Sequence, residues 1–541
     1  MQTSVSAARA ATPSHDRRWA VLGVLTVAVF AINIDVSIVN VALPSLVREL
    51  HASTSRLQWV VDAYQLTFCA FVLAAGSLSD RFGRKGALLT GLAVFGSATL
   101  AGALGTTTGE LIAARAVMGV GAAFVFPNTL SILTNVFTDR VERAKAIGIW
   151  GATVGMGVAF GPIIGGWLLE HFWWGSVFLA MAPAAAAAIA LIAIVAPTSK
   201  DPATPRLDIA GLITSTAAIA ALVYTIIEAP VRGWVAPASV AGFAVAAATL
   251  AAFVAWESRT PTPMLDVGLF TNLRFSAASG AVTVAFFTLY GFIFLITQYF
   301  QFLHGYSPFS TGVRLLPVAF SMGAASTFGP RIAVRLGNNR VIAAGLLMMG
   351  TGFAWISRSS AHTPYLEIVG QMLWTASGIG LATAPATEAI MGVVPKEKAG
   401  VGSAVNDATR ELGGTLGVAV VGSVFASLYL HVIERSQAAA AVPTGLLGQA
   451  KQSIGAALIS AHQLAHSNPR AAELLDHAAR QAFFHGFKGG VGVSAVIAAI
   501  GAVAVFVILP PHPAVSLEDE LAQLVTAPTT AEAPVEGVPD R

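Results

Sequence analysis

The apolar residues of this chain fall into long blocks separated by short polar or charged patches. A helix that crosses a bilayer needs about 20 consecutive, mostly apolar residues. Fourteen stretches qualify: 18–43, 57–79, 86–105, 109–135, 144–168, 173–196, 208–229, 236–256, 275–302, 310–333, 340–357, 364–393, 399–431 and 484–510. The least pronounced are 208–229 and 340–357. The first block is longer than the apolar core of about 7–15 residues in a secretory leader, and no clear small-residue cleavage site follows it. It is therefore expected to stay as the first span. The fold class expected is an all-α polytopic membrane protein with 14 transmembrane helices.

Composition narrows the alternatives. At 541 residues a soluble chain would form about three or four domains. Hydrophobic residues make up 55% and charged residues only 11%, whereas soluble surfaces usually need about 25% charged residues. Disordered chains are poor in apolar residues, and Cys69 is the one cysteine, which excludes a disulfide scaffold. Lipid must be the solvent for much of the surface.

Charge placement then sets orientation. With a cytoplasmic N-terminus, one set of loops carries Arg81, Arg84, Lys85, Arg140, Arg143, Lys145, Lys200, Arg206, Arg259, Arg274, Arg331, Arg335, Arg340, Lys396 and Lys398. The short loops on the other side carry only Arg48, Arg56, Arg232 and Arg358. The positive-inside rule places both termini in the cytoplasm. Anchoring of this kind accounts for the net charge of +3 without nucleic acid, which is not expected as a partner. The expected location is the inner (cytoplasmic) cell membrane.

Three segments are not membrane: a polar tail at 1–16, a Pro-, Ala- and Glu-rich tail at 511–541 that reads as disordered, and a long outer loop at 432–483. Ala-rich stretches around Leu458 and Leu474, split by Asn468-Pro469, predict two short helices in that loop. His462 and His466 share a helical i,i+4 spacing there, but a metal site needs more convergent ligands. No metal is expected.

The halves carry a faint repeat. The loop after the second span reads Gly76-Ser-Leu-Ser-Asp80-Arg81-Phe-Gly83-Arg84-Lys85, and the loop after the tenth contains Arg335-Leu-Gly337-Asn-Asn-Arg340. Duplicated membrane halves are a mark of transporters. In the first loop, Gly76 and Gly83 permit close approach and a tight turn, and Asp80 beside cations can latch one conformation and release in another. The fifth span holds Gly151-Ala-Thr-Val-Gly155-Met-Gly157-Val-Ala-Phe-Gly161-Pro162-Ile-Ile-Gly165-Gly166. Overlapping small-xxx-small pairs of this kind let a second helix pack at backbone distance, and Pro162 should kink the span.

Intramembrane charges are costly and by default functional. They are few. Arg115 lies in the fourth span and asks for a carboxylate partner. Asp35 lies in the first span, Asp62 near the outer end of the second, and Asp407, Arg410 and Glu411 in the thirteenth. A carboxyl in an apolar cavity holds its proton more tightly than in water, and a nearby arginine or bound cation expels it. Competition of that kind is an exchange mechanism. Asp62 has a plain alternative as a water-exposed interfacial residue, and Asp407 and Glu411 have one as charges neutralised by Arg410. Aromatics of 275–302 can line a cavity for flat cations, though at this spacing they are more often packing residues.

Stretch 76–85 resembles the signature loop of the major facilitator superfamily, the 151–166 run resembles the antiporter motif of its drug exporters, and Arg115-Ala-Val-Met-Gly119-Val-Gly121 resembles their buried-arginine motif. Over roughly 17–510 the chain resembles the fourteen-span drug:proton antiporters, the QacA- and EmrB-like group. The resemblance implies a six-helix bundle at 17–200, two additional central spans at 201–260, and a second bundle at 261–510 that includes the outer loop. It implies proton-coupled export of hydrophobic or cationic small molecules by alternating access, driven by the proton gradient with no cofactor and no catalytic residues. One departure stands out: some relatives that handle divalent cations carry a carboxylate in the tenth span, whereas Leu315 to Pro330 holds none. A dedicated exporter of one metabolite, siderophore, natural product or lipid precursor is the competing reading. A membrane enzyme, a sensor or an ATP-driven pump lacks its motifs: no His-Glu-x-x-His, phosphate loop or Gly-x-Ser-x-Gly element is evident.

Overall fold

The computed structural model describes residues 15–198, 208–261, 263–394 and 399–510. The expected tails, 1–14 and 511–541, lie outside these, as do Lys200, Arg206, Lys396 and Lys398. Every regular element among the described residues is helical. The first half comprises α1 (His15–Leu50), α2 (Thr54–Phe82), α3 (Arg84–Leu104), α4 (Thr108–Val136), α5 (Arg140–His171), α6 (Ser176–Leu179) and α7 (Met181–Val195). A pair follows, α8 (Ile209–Arg232) and α9 (Pro237–Glu257). The remainder comprises α10 (Leu273–Gln298), α11 (Pro308–Arg314), α12 (Leu316–Leu336), α13 (Asn338–Ile356), α14 (Tyr365–Val393), α15 (Ala399–Arg435), α16 (Ala438–Ala441), α17 (Thr444–Ala450), α18 (Ile454–Leu464) and α19 (Pro469–Ile508).

Among the described residues twelve helices are long and apolar enough to cross a membrane, with α6 and α7 counting as one. Two further stretches expected as spans form α12 and α14, of 21 and 29 residues. They fall outside the twelve because polar side chains dilute them: Ser321, Ser326, Thr327 and Arg331 in α12, and Gln371, Thr375, Thr383 and Thr387 in α14. Large apolar side chains such as Ile194, Phe320 and Val507 stand outward and exposed, as a lipid-facing surface requires.

Three local departures have plain causes. The sixth stretch is broken at Ala180, because Pro183 in the first turn of α7 has no N–H to return to Leu179. The tenth splits into α11 and α12 at Leu315, with Pro317 in the first turn of α12. The helix that carries the last span does not begin at 484. Asn468 caps a single 40-residue helix by accepting from Ala471 N at 3.1 Å, with Pro469 at its first position. Asn-Pro separates α18 from α19 as expected, but the second helix is not short: it runs on as the last membrane helix, so the outer loop shortens to 436–468. That loop folds as α16, α17 and α18.

The repeat between halves is visible in the backbone. Gly83 ends α2 and starts α3 with φ 113°, and Gly337 ends α12 and starts α13 with φ 90°. Both turns need a residue without a Cβ.

In the first half α1 packs on α5, α2 and α3 pack on α4, and α3 packs on α7; in the second, α12 and α13 pack on α14, and α10, α13 and α15 pack on α19. The halves meet where α2 packs on α15 and α5 on α11. The pair α8 and α9 sits over the α2–α15 seam, where Val223, Ile226 and Ile227 bury against Ala419 and Ser423 Oγ donates to Ile226 O at 2.8 Å. Hydrogen bonds between halves concentrate at the end where α1 and α5 finish. Gln301 Nε2 donates to Val41 O at 2.9 Å, Phe309 N donates to Glu170 Oε1 at 3.2 Å, and Thr54 N donates to Gln452 O at 3.0 Å. That end is closed.

Candidate functional site

Asp35 and Arg115 meet although 80 positions separate them. Arg115 Nη1 donates to Asp35 Oδ2 at 2.6 Å, and its Nε donates to Val60 O at 3.0 Å. Both side chains are sealed from solvent, at 0% and 1% exposure. The guanidinium lies 4.4 Å from the centroid of the Tyr64 ring, a cation–π contact that adds to the pair when water is excluded. α1 brings Asp35, α4 brings Arg115, and α2 brings Tyr64.

Tyr64 is also a wall of a cavity of about 340 Å³ between the halves. From the first half the lining includes Asn33, Ser37 and Asn40 of α1, Phe68, Phe126, and the Gly151–Pro162 face of α5. From the second half it includes Phe286, Tyr290, Met322, Ser326 and Thr383, together with Asp407, Arg410 and Glu411. A cavity mostly apolar with a few convergent polar groups is the usual form of a small-molecule site.

The second charge cluster is built differently from the first. Arg410 Nη1 stands 4.0 Å from Asp407 Oδ1, and its Nη2 reaches Thr387 Oγ1 at 3.4 Å. Its guanidinium lies 5.4 Å from the Phe286 centroid. Asp407 and Arg410 retain 18% and 33% side-chain exposure. Glu411 Oε2 is buried without a hydrogen-bond partner among the described residues. The α12 face that lines the cavity carries Leu315, Val318, Ala319, Met322 and Ser326 and no carboxylate.

Asp62 is not the exposed interfacial residue that its position near a span end allowed. It is 0% exposed, and neither carboxylate oxygen has a hydrogen-bond partner among the described residues. It shares a face of α2 with Gln58, one turn before, and Gln65, one turn after. Gln58 Nε2 donates to Val418 O and Ala419 O of α15 at 3.1 and 3.0 Å.

The glycines of α5 divide between two faces. A Cβ at Gly157 would fall on Asn33, at Gly161 on Ser37, and at Gly165 on Ile38, so these three hold α5 against α1 at backbone distance. Ser37 Oγ reaches Gly157 O at 3.4 Å. Gly151 and Gly155 do not take part in that packing: a Cβ there would meet nothing within 4 Å, and both line the cavity. Pro162 O lies against Gly312 of α11, across the halves. In the 76–85 loop, Lys85 Nζ donates to Ala193 O at 2.7 Å and so caps the last turn of α7. Gly76 lies in α2 and Gly83 makes the turn. Arg81 and Arg84 are engaged, and the Asp80 side chain lies outside the described residues.

Sequence reasoning passed over Tyr64, Gln58 and Gln65. Their signal was available: they sit at i+2, i−4 and i+3 from Asp62, and Gln58 and Gln65 are amides inside an apolar block.

Comparisons place the chain among known proteins. A family model described as Major Facilitator Superfamily matches residues 25–418. The chain is 34% identical over 504 residues, 92% of itself and 97% of the relative, to the multidrug efflux pump LfrA of Mycolicibacterium smegmatis. It is 33% identical to the methyl viologen resistance protein SmvA of Salmonella typhimurium, over 86% of this chain and 93% of that one. Among solved structures, a bacterial homologue of the human lysosomal transporter Spinster, inward-facing and unoccupied, superposes with a TM-score of 0.63 at 16% identity, covering 93% of this chain and all of that one. That last likeness is one of fold.

Proposed function

The chain belongs to the major facilitator superfamily and is a multi-pass membrane transporter rather than an enzyme; from that premise we propose that it exports hydrophobic or cationic small molecules, drugs among them, in exchange for protons. The observation that carries this reading is the cavity with Asp407, Arg410 and Glu411 on its wall and the sealed Asp35–Arg115 pair directly behind Tyr64. The names of relatives as multidrug efflux and resistance proteins support export of toxic compounds.

In this reading α12 and α14 complete fourteen spans of the drug:proton antiporter group. Residues 17–200 and 261–510 are the moving bundles, and 201–260 is an accessory pair. Both termini are cytoplasmic, so the closed end faces outside and the cavity is open inward. With both carboxylates ionised, Asp407 and Glu411 against Arg410 leave the wall one negative charge, which suits a monovalent cation. A bound cation and a proton compete for Glu411, whose unpartnered oxygen is free to take either. Asp35 exchanges Arg115 for a proton during the cycle, and Asp62 is a second proton site. The 76–85 loop is the conformational latch, with Asp80 and its cations engaging in one state and releasing in another. No cofactor takes part.

The test is proton release from the purified protein when ethidium, a monovalent lipophilic cation, is added near neutral pH. Release that disappears in Asp35→Asn or Glu411→Gln is expected; no release from the native chain would sink the coupling. A broad toxin panel on a deletion strain separates this reading from a carrier dedicated to one solute, which would leave every toxic compound unshifted.

A further inference from the structure

A second cavity, of about 630 Å³, lies at the closed end. It is walled by the start of α2, the last turns of α8, α15 and the outer loop. None of the helices that build the drug cavity in the first half other than α2 contributes to its long walls. Gln58 lines its floor and is itself 0% exposed. Below it, along one face of α2, run buried polar atoms without hydrogen-bond partners among the described residues: Gln58 Oε1, both oxygens of Asp62, and Gln65 Oε1. Spacing of four and then three residues puts them in a single file. The file ends at the drug cavity, because the Gln65 amide and the Tyr290 ring both lie where a Cβ on Gly414 would fall, and Tyr290 lines that cavity.

Buried polar atoms are satisfied by protein or by ordered water. Four orphan atoms in one row, between two cavities, have one common explanation. We propose that water along the α2–α15 seam carries protons from the outer cavity past Gln58 to Asp62, and that Asp62 passes them on past Gln65 to the drug cavity only as the bundles rock, so the two sides are never joined by one open file. Protons then enter by a route separate from the one substrate takes. This rests on the proton-coupled reading above and gives it a path.

The seam is built for a narrow passage. On α15 the facing positions include Gly414 and Gly422, and a Cβ at Gly422 would fall on the Gln58 amide. Charges other than Asp62 are kept away from its middle. On α15 no titratable side chain stands between Glu411 and Tyr429. On α4 Arg115 is held by Asp35. At the mouth, Arg56 Nη1 donates to Thr108 Oγ1 at 2.7 Å, and Glu228 of α8 stands 3.6 Å from Arg232. The accessory pair thereby acquires a role: α8 supplies Ile227, Glu228 and Val231 to the wall of the proton mouth.

Val231 lines the mouth and is 74% exposed. The full chain carrying Val231→Cys is purified, labelled with a bulky thiol reagent after folding, and reconstituted into liposomes. The native chain, whose single Cys69 is buried, is the control for the reagent. Two rates are read: ethidium efflux driven by external acid, and ethidium self-exchange at equal pH, which needs the conformational cycle but no net proton movement. Labelling is expected to lower the driven rate about tenfold and to leave self-exchange within about twofold. Unchanged rates, or equal loss of both, overturn the route. Absence of acid-driven efflux in the unlabelled native chain overturns the coupling itself, and the route with it.

Discussion

Two arginine–carboxylate clusters stand on either side of Tyr64, and they differ in nearly every physical respect. Asp35–Arg115 is short, fully sealed and stacked on an aromatic ring. Asp407–Arg410–Glu411 is loose, partly exposed and lines a cavity. Charges in the first cluster cannot be solvated apart, so each depends on the other for its place in the apolar interior. Charges in the second can part at small cost, because water and ligand are available to replace the partner. The proton-coupled export proposed above draws on both kinds: one that holds the interior together until protonation breaks it, and one that yields to whatever enters.

The sharpest way to break this comparison is Arg115→Ala. It leaves a carboxylate alone in the core and should cost about 3–5 kcal/mol, read as a large drop in thermal unfolding temperature in detergent. The double change Asp35→Asn with Arg115→Gln should recover most of that stability while transport stays lost. A loss below about 1 kcal/mol for the single change would put the pair with exposed ion pairs instead.

Glu411→Gln makes the opposite demand. Its stability should stay within about 1 kcal/mol, because the neutral amide suits a site already lacking a partner. Acid-driven ethidium efflux should fall at least about tenfold. Arg410→Ala comes next. It removes the one cation from the cavity wall, so the balance of efflux should move about threefold or more from ethidium toward dicationic methyl viologen, measured as a ratio of rates in the same vesicles. Smallest is Phe286→Ala, which removes the ring beside Arg410 and should cost about 0.5 kcal/mol in substrate affinity, read from ethidium binding.

How much of this was legible beforehand follows from which forces act locally. Long apolar blocks announce themselves, because the bilayer demands length and hydropathy of each helix alone. Asp35 and Arg115 stood out for the same reason: a charge is conspicuous in an apolar run. Their mutual pairing was not readable, since it depends on how α1, α2 and α4 come together. The division of α5 was hidden likewise. Gly155 and Gly157 differ by two positions, which on a helix is about 200°, yet small-xxx-small spacing treats them as one pattern. A wet edge was one of two readings of Asp62 because it lies near the start of its span; α2 packs on α15 and α8, and Asp62 is 0% exposed. The start of α19 was misjudged because its Ala-rich first turns resemble those of a loop helix, and nothing in composition separates a helix that ends from one that runs on.

The 40-residue helix that closes the chain has a mechanical consequence. At 1.5 Å per residue it is about 60 Å long, roughly twice the hydrocarbon thickness. Its first turns therefore stand clear of the membrane as a mast, and α18 packs against them while Gly455 rests on Val47 and Phe302. A mast magnifies tilt. Rocking the second bundle by about 10° would sweep a tip some 30 Å above the bilayer centre through about 5 Å. That is the width of one helical turn, and enough to slide the cap off the end of α1, while α10 travels with the cap and the seam below has barely begun to part.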